Sequence, residues 1–132
     1  MAFNPDFLSI GEAFVNHYYS TFDVQDPNAR VQGLCALYDP ENSYMTFEGV
    51  QVKGRDLILQ KFSGLTFREI KRAITKTDCQ PLPDGSILVN VLGQLKTDDD
   101  PINSYTQLFI LRPNAGSFYI SNEIFRLVLH DH

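Results

Sequence analysis

Carboxylates crowd one short stretch of this chain, Gly93-Gln94-Leu95-Lys96-Thr97-Asp98-Asp99-Asp100-Pro101. Three like charges in a row repel one another and stay hydrated, so the segment belongs in a water-facing turn or rim. Another acid follows an aromatic residue at Phe47-Glu48, just before Gly49. Two readings stand side by side. The acids can be a solvated loop and nothing more, or a landing site for a partner that presents Lys or Arg. Metal binding is poorly served. Consecutive residues on a strand point to opposite sides, and the triplet lacks the spaced ligands and closing Glu of a calcium loop. The terminal run His130-Asp131-His132 is contiguous in the same way and reads as a tail.

Other chemistries find few residues. Nucleophilic catalysis needs Ser or Cys beside a His and an orienting carboxylate. The histidines are His17, His130 and His132, and no nucleophile elbow, phosphate-cradling loop or dinucleotide fingerprint is present. Cys35 and Cys79 lack the paired spacing of a metal or redox site and read as two small buried thiols. General acid/base work in an apolar pocket is the serious enzymatic option. A carboxylate raised in pKa by a dry site, with a Tyr or His beside it, moves a proton next to a carbonyl. His17, Tyr18, Tyr19 and Tyr44 are candidate partners, and the strand carboxylates Glu69 and Glu123 can face either way.

Composition bounds the rest. The 132 residues suit one domain, residues 1–132, with a real core; hydrophobic content is 43% and charged content 20%. No apolar run reaches the length that crosses a bilayer, and the N-terminus lacks a signal peptide's basic flank and apolar core. A soluble intracellular protein without a membrane partner is expected. The net charge of -5 argues against a nucleic-acid partner, and Arg68, Lys71 and Arg72 form the one basic cluster.

The elements that must position these residues follow from punctuation and period. Asn4-Pro5 caps a helix, with Phe3 stapled onto Leu8, and Phe7, Ile10, Phe14, Tyr18 and Phe22 recur at helical spacing. Asp26-Pro27 opens a second helix of about three turns, and Gly54-Arg55-Asp56 a third that ends at Gly64. Ser43 to Glu48 and Val50 to Val52 form a short hairpin. From Phe67 the pattern is strand: Ile70 to Thr75, Ser86 to Leu95, Ser104 to Arg112 and Phe118 to Leu129. Helices first and long antiparallel strands later mean α+β, with a curved sheet that wraps the helices and leaves a pocket at its open end. Ile120, Ile124 and Phe125 make the last strand too apolar for both faces to be wet, so a homodimer is expected. Phe47-Glu48 and the acidic triplet then share the pocket's rim. That suits a partner whose aromatic side chain anchors while flanking cations orient it.

His17-Tyr18-Tyr19 with Phe22-Asp23, Thr46-Phe47-Glu48-Gly49, Gly93-Gln94-Leu95-Lys96 with its acids and Pro101, and Phe125-Arg126-Leu127 together resemble the nuclear transport factor 2 family in order and spacing. The resemblance implies a cone-like fold: three helices in a strongly curved antiparallel sheet, with an apolar cavity at the open end. It implies no catalysis and no cofactor. It also implies a nuclear import carrier for the GDP-bound small GTPase Ran, moving between cytoplasm and nucleus and concentrated at the pores of the nuclear envelope. Phe47, Glu48, Asp98 and Asp100 fall on the Ran site, and Phe7 on the site that grips Phe-x-Phe-Gly repeats of nucleoporins. Ile124 falls at the homodimer interface. Phe47 and Phe7 stand where animal members carry tryptophan, which keeps an apolar anchor and gives up the indole N–H. Arg72 stands at a histidine position. Small dehydratases and isomerases share the fold, so a cavity enzyme is the alternative reading.

Overall fold

A computed structural model describes residues 2–129; the run His130-Asp131-His132 lies outside the described residues. The first helix, α1, spans Phe7–Phe22. It starts later than an Asn4 cap would place it. Asn4 Oδ1 instead accepts the amide of Asp6, 2.9 Å away, which closes a local turn ahead of the helix. Phe3 and Leu8 are both exposed, so the expected staple does not form. The aromatic stripe behaves as its spacing predicts, with Val15, Tyr18, Tyr19 and Phe22 buried. The second helix, α2, covers Pro27–Leu34, capped by Asp26 Oδ1 accepting from the Asn28 amide at 3.1 Å. It tightens into a 3-10 turn over Cys35–Leu37. The third, α3, runs Arg55–Ser63.

Six strands form one sheet: β1 (Tyr44–Phe47), β2 (Val50–Lys53), β3 (Ile70–Pro81), β4 (Ile87–Thr97), β5 (Asn103–Asn114) and β6 (Ser117–Leu127). Their spatial order is β2-β1-β6-β5-β4-β3. All neighbours are antiparallel except β1 and β6, which pair in parallel with Phe47 opposite Phe125. Helix α1 lies across β3 and β4 on the concave face. Gly93 allows this curvature, because a Cβ there would sit 2.7 Å from the Ala73 carbonyl oxygen and 2.8 Å from the Tyr105 ring. Register slips in β3 after Ile74 and opposite Leu111 in β6 bend the strands further.

The second slip decides what faces the core. Leu111 pairs with Ile120 and Ile110 with Asn122, so Ser121 is the extra residue. Strict alternation would put Ile120 and Glu123 on opposite faces. The bulge brings both inside, each about 1% exposed or less, and leaves Ile124 outward at 49%. The convex face carries Ile124 next to Leu108 and Thr46, with Tyr44 and Leu92 also exposed. Cys35 and Cys79 are free and only partly buried.

Candidate functional site

At the end of the sheet where β1, β4 and β6 finish and β3 begins, a cavity of about 210 Å³ opens. Its walls are mostly rings and aliphatic side chains, including Phe22, Phe62, Phe67, Leu95, Phe125 and Leu127. A cavity of about 150 Å³ is enough to hold a benzene molecule, so this one accepts a single aromatic group. Phe47 forms one wall. It stacks on Phe125 at 4.9 Å between centroids and meets Phe62 edge-on at 6.3 Å. The Lys61 ammonium stands 5.6 Å from the Phe47 ring centre, a cation–π contact that fixes the outer edge of that wall.

Glu48 lines the cavity beside Phe47. Its backbone is left-handed, with φ of 50°, in the turn that Gly49 completes. The Glu48 amide donates to the Phe125 carbonyl at 3.0 Å, and its carboxylate accepts the amide of Leu127. The end of β6 therefore holds this acid at the mouth.

Asp98 and Asp100 sit just past Thr97, which is itself a cavity residue. The triplet does not run extended. Asp98 has φ of 50°, and the Asp100 amide donates to the Thr97 carbonyl at 3.0 Å, closing a tight turn. An extended strand would point Asp99 away from its neighbours; the turn instead puts Asp98 and Asp99 together around a shallow polar depression with Arg68 and Glu69. Asp98 accepts the amides of Arg68 and Glu69, each at 2.9 Å, and so pins the start of β3. Asp100 accepts the Thr97 hydroxyl at 3.3 Å and is otherwise exposed.

The floor is polar. Glu123 is fully buried and accepts from Tyr38 at 2.6 Å, Tyr18 at 2.8 Å and Gln107 Nε2 at 2.7 Å. Gln107 Oε1 in turn accepts the Tyr19 hydroxyl at 2.7 Å. Burial pushes the Glu123 carboxyl up, and the three donors pull the other way without cancelling it. Burial and the Glu123 charge push the Tyr18 and Tyr38 phenols well above their ordinary range. Tyr18 and Gln107 line the cavity, while Glu123 lies behind them.

Arg72 completes this end. Its Nε and Nη2 donate to Asp23 at 2.9 and 2.7 Å, and its side chain is 7% exposed. Burial lowers the proton affinity of the guanidinium, but Asp23 more than offsets that, so the net direction is upward. Arg30, also buried, donates to the carbonyls of Phe22 at the end of α1, of Val24 just past it and of Phe62 in α3. It stands 4.4 Å from the Phe67 ring centre and so braces the cavity wall from behind.

Of the residues singled out from sequence, Phe47 and Glu48 lie in the cavity and Asp98 and Asp100 on the turn beside it. Phe7, half-buried at the start of α1, and Ile124, on the convex face, lie elsewhere. Of the four candidate proton-transfer partners, Tyr18 and Tyr19 are inside, whereas His17 is exposed and Tyr44 faces outward. Glu123 faces in and Glu69 out, toward Lys71 at 3.7 Å. Gln107 joins the floor without any motif that places it there; its one signal in the sequence is that it is a polar residue at an inward position of an apolar strand. Arg72, marked in the sequence by its basic neighbours and by the family's histidine position, also joins the floor, on the more polar strand β3. Among the described residues, no cluster of three His, Cys, Asp or Glu side chains is placed to hold a metal.

Three helices in an open curved sheet, with a deep apolar pocket at its end, define a class of small cone-shaped α+β proteins. Residues 10–127 match the Nuclear transport factor 2 (NTF2) domain. A probable nuclear transport factor 2 of Caenorhabditis elegans is 67% identical over 132 residues, covering 99% of each chain. The nuclear transport factor 2 structure from Cryptosporidium parvum superimposes with a TM-score of 0.86 at 39% identity, over 97% of this chain and 99% of that one. A putative scytalone dehydratase from Novosphingobium aromaticivorans shares the fold alone, with a TM-score of 0.73 at 14% identity over 92% of this chain and 84% of that one. The chain belongs to the nuclear transport factor 2 family, which is named for transport and not for a reaction.

Proposed function

We propose that this protein is a nuclear import carrier that takes the GDP-bound form of Ran through its acidic-rimmed cavity and crosses the pore on Phe-x-Phe-Gly nucleoporins. The observation that carries the reading is the cavity itself: an apolar pocket the size of one aromatic group, walled by Phe47, with the Glu48 carboxylate held at its mouth. An aromatic side chain from the partner supplies the desolvated anchor, and cations beside it meet Glu48, Asp98 and Asp100. Family membership supports the same reading, as does the transport-factor name of close relatives. Phe7, with Phe3 and Leu8 exposed nearby in sequence, offers the apolar grip for nucleoporin repeats. A second copy covers the convex face around Ile124, giving a homodimer. Such a carrier resides in cytoplasm and nucleus and concentrates at the pores.

Pull-down with nucleotide-loaded Ran tests this directly. Binding to Ran–GDP and little to Ran–GTP is expected, with Glu48→Lys abolishing it; truncating one side of a desolvated charge pair costs about 2–5 kcal/mol. Equal binding to both nucleotide states would sink the proposal. The dimer is tested by sedimentation, where Ile124→Glu should halve the mass while leaving Ran binding per chain intact.

One observation favours the enzymatic alternative. Glu123 is the buried, pKa-raised carboxylate with tyrosine partners that a cavity acid/base needs. Against it, both carboxylate oxygens are already engaged, and Tyr18 and Gln107 stand between Glu123 and the cavity. A carrier uses such a floor as a rigid backing for the pocket.

A further inference from the structure

Cations also stand around the acidic mouth, and most of them sit with acids or point away. Lys71 pairs with Glu69 at 3.7 Å, and Lys96 donates to the Asp98 carbonyl at 2.6 Å. Arg68 borders the depression it shares with Asp98 and Asp99. Arg126 lies between the cavity residues Phe125 and Leu127 on β6, so alternation turns it to the convex face. Lys61 differs from all of these. It is half-buried in the last turn of α3, and no carboxylate among the described residues lies within 4 Å of its ammonium. The ammonium stands instead 5.6 Å from the centre of the Phe47 ring, on the wall that leads to Glu48, without lining the cavity itself. A lysine near a helix C-terminus complements the helix dipole. That accounts for a cation in this turn, but not for its place against the aromatic wall of the mouth.

We propose that Lys61 is a charge filter on docking, a repulsive element that holds the binding of a cationic partner below what the rim acids alone would give. The inference rests on the carrier reading for the partner's identity and on the geometry for its sign. A Lys or Arg that approaches Glu48 also approaches the Lys61 charge, which no carboxylate of the protein offsets at close range. Two like charges about 8 Å apart in water repel enough to change an affinity about two- to threefold. A carrier has to release its cargo, and an interface gains selectivity when an attractive mouth contains a repulsive group. A partner that places its cations on the far side, toward Asp98 and Asp100, meets less of this repulsion than one that crowds Glu48.

The test measures Ran–GDP affinity and association rate on the full chain for the wild type, Lys61→Met, Lys61→Arg and Lys61→Glu. Methionine keeps an unbranched apolar stem against Phe47 and removes the charge. At about 0.01 M salt, Lys61→Met should bind about two- to threefold tighter than the wild type, and Lys61→Glu about four- to ninefold tighter. Lys61→Arg keeps the charge and should match the wild type. The differences should disappear near 1 M salt, where the Debye length is about 3 Å. A merely structural role for Lys61, on the end of α3 or on the Phe47 wall, gives the reverse pattern. Lys61→Met would then bind equally or more weakly, whatever the salt, and that result overturns the inference. A second arm works without Ran. Phe-centred peptides flanked by Arg or by Gln are titrated onto the same proteins, and the ratio of the two affinities should rise about two- to threefold in Lys61→Met. An unchanged ratio overturns the inference. A wild type that ignores Ran–GDP while this ratio moves would defeat the carrier reading and leave the filter standing, so the two fail separately.

Discussion

The floor of the cavity and its acidic rim use the same group, a carboxylate with hydrogen-bond donors, in opposite ways. Glu123 gathers donors from 105, 85 and 16 residues away, on α1, before β1 and on β5. Water has no access to it, so each bond acts at low dielectric and each loss strands a buried donor. The acids of the 98–100 turn face solvent instead, where Asp98 accepts the exposed amides of Arg68 and Glu69 and Asp100 the Thr97 hydroxyl. Screening by water keeps their contribution to stability small and leaves their charge available to a partner. The floor holds the fold, and the rim is free to serve recognition.

Removing the floor acid should therefore have the largest effect. Glu123→Ala leaves Tyr18, Tyr38 and Gln107 without their acceptor and opens a void beneath the cavity. A loss of about 3–5 kcal/mol in unfolding free energy is expected, measured by urea denaturation. A loss below about 1 kcal/mol would mean that water enters and replaces the carboxylate, and the contrast between floor and rim would collapse.

Smaller, and diagnostic of burial, is the pH dependence. Burial raises the Glu123 pKa in the folded protein above its unfolded value, despite three donors. The folded state thus holds a proton that the unfolded state has already released, and stability falls as pH rises. The contribution is fully present below the unfolded pKa of about 4.3 and is lost as pH passes through the raised folded value. Glu123→Gln removes this titration. The stability difference between the wild type and Glu123→Gln should shift against the wild type by up to about 1.4 kcal/mol per pH unit inside that window, and be flat outside it. A parallel pair of curves would show that Glu123 ionises as readily in the fold as in the unfolded chain.

The same contrast explains which features are legible in the amino-acid sequence. The helices, the hairpin and the long strands are legible because period and turn residues are local signals, and the acidic triplet because its residues are contiguous. The rim residues Phe47 and Glu48 stand out by adjacency and by family resemblance. The floor is hidden for a specific reason. Whether Glu123 faces in depends on the bulge at Ser121, and a one-residue slip reverses the inward set without changing composition. The turn at Asp98 escapes alternation for a similar reason, since a left-handed residue at its start replaces the extended path. At α1, the competing signal is Asn4, whose side chain bonds the Asp6 amide and delays the helix.

The smallest expected effects separate two roles within the rim. Asp98 is both a charge beside the cavity and an acceptor for the Arg68 and Glu69 amides. Asp98→Asn keeps a carbonyl acceptor and tolerates the left-handed backbone, so it should retain stability while losing the charge that a cationic partner needs. Asp98→Ala removes the acceptor as well. It should lose about 1 kcal/mol or less, with faster amide exchange confined to Arg68 and Glu69. Asp99→Ala, lacking any bond of this kind among the described residues, should do neither. Amide exchange in the three variants, with Ran–GDP binding measured beside it, decides the matter. If Asp98→Asn binds as the wild type does, Asp98 is a clamp on β3 alone, and the docking charge at this side of the cavity falls to Asp100.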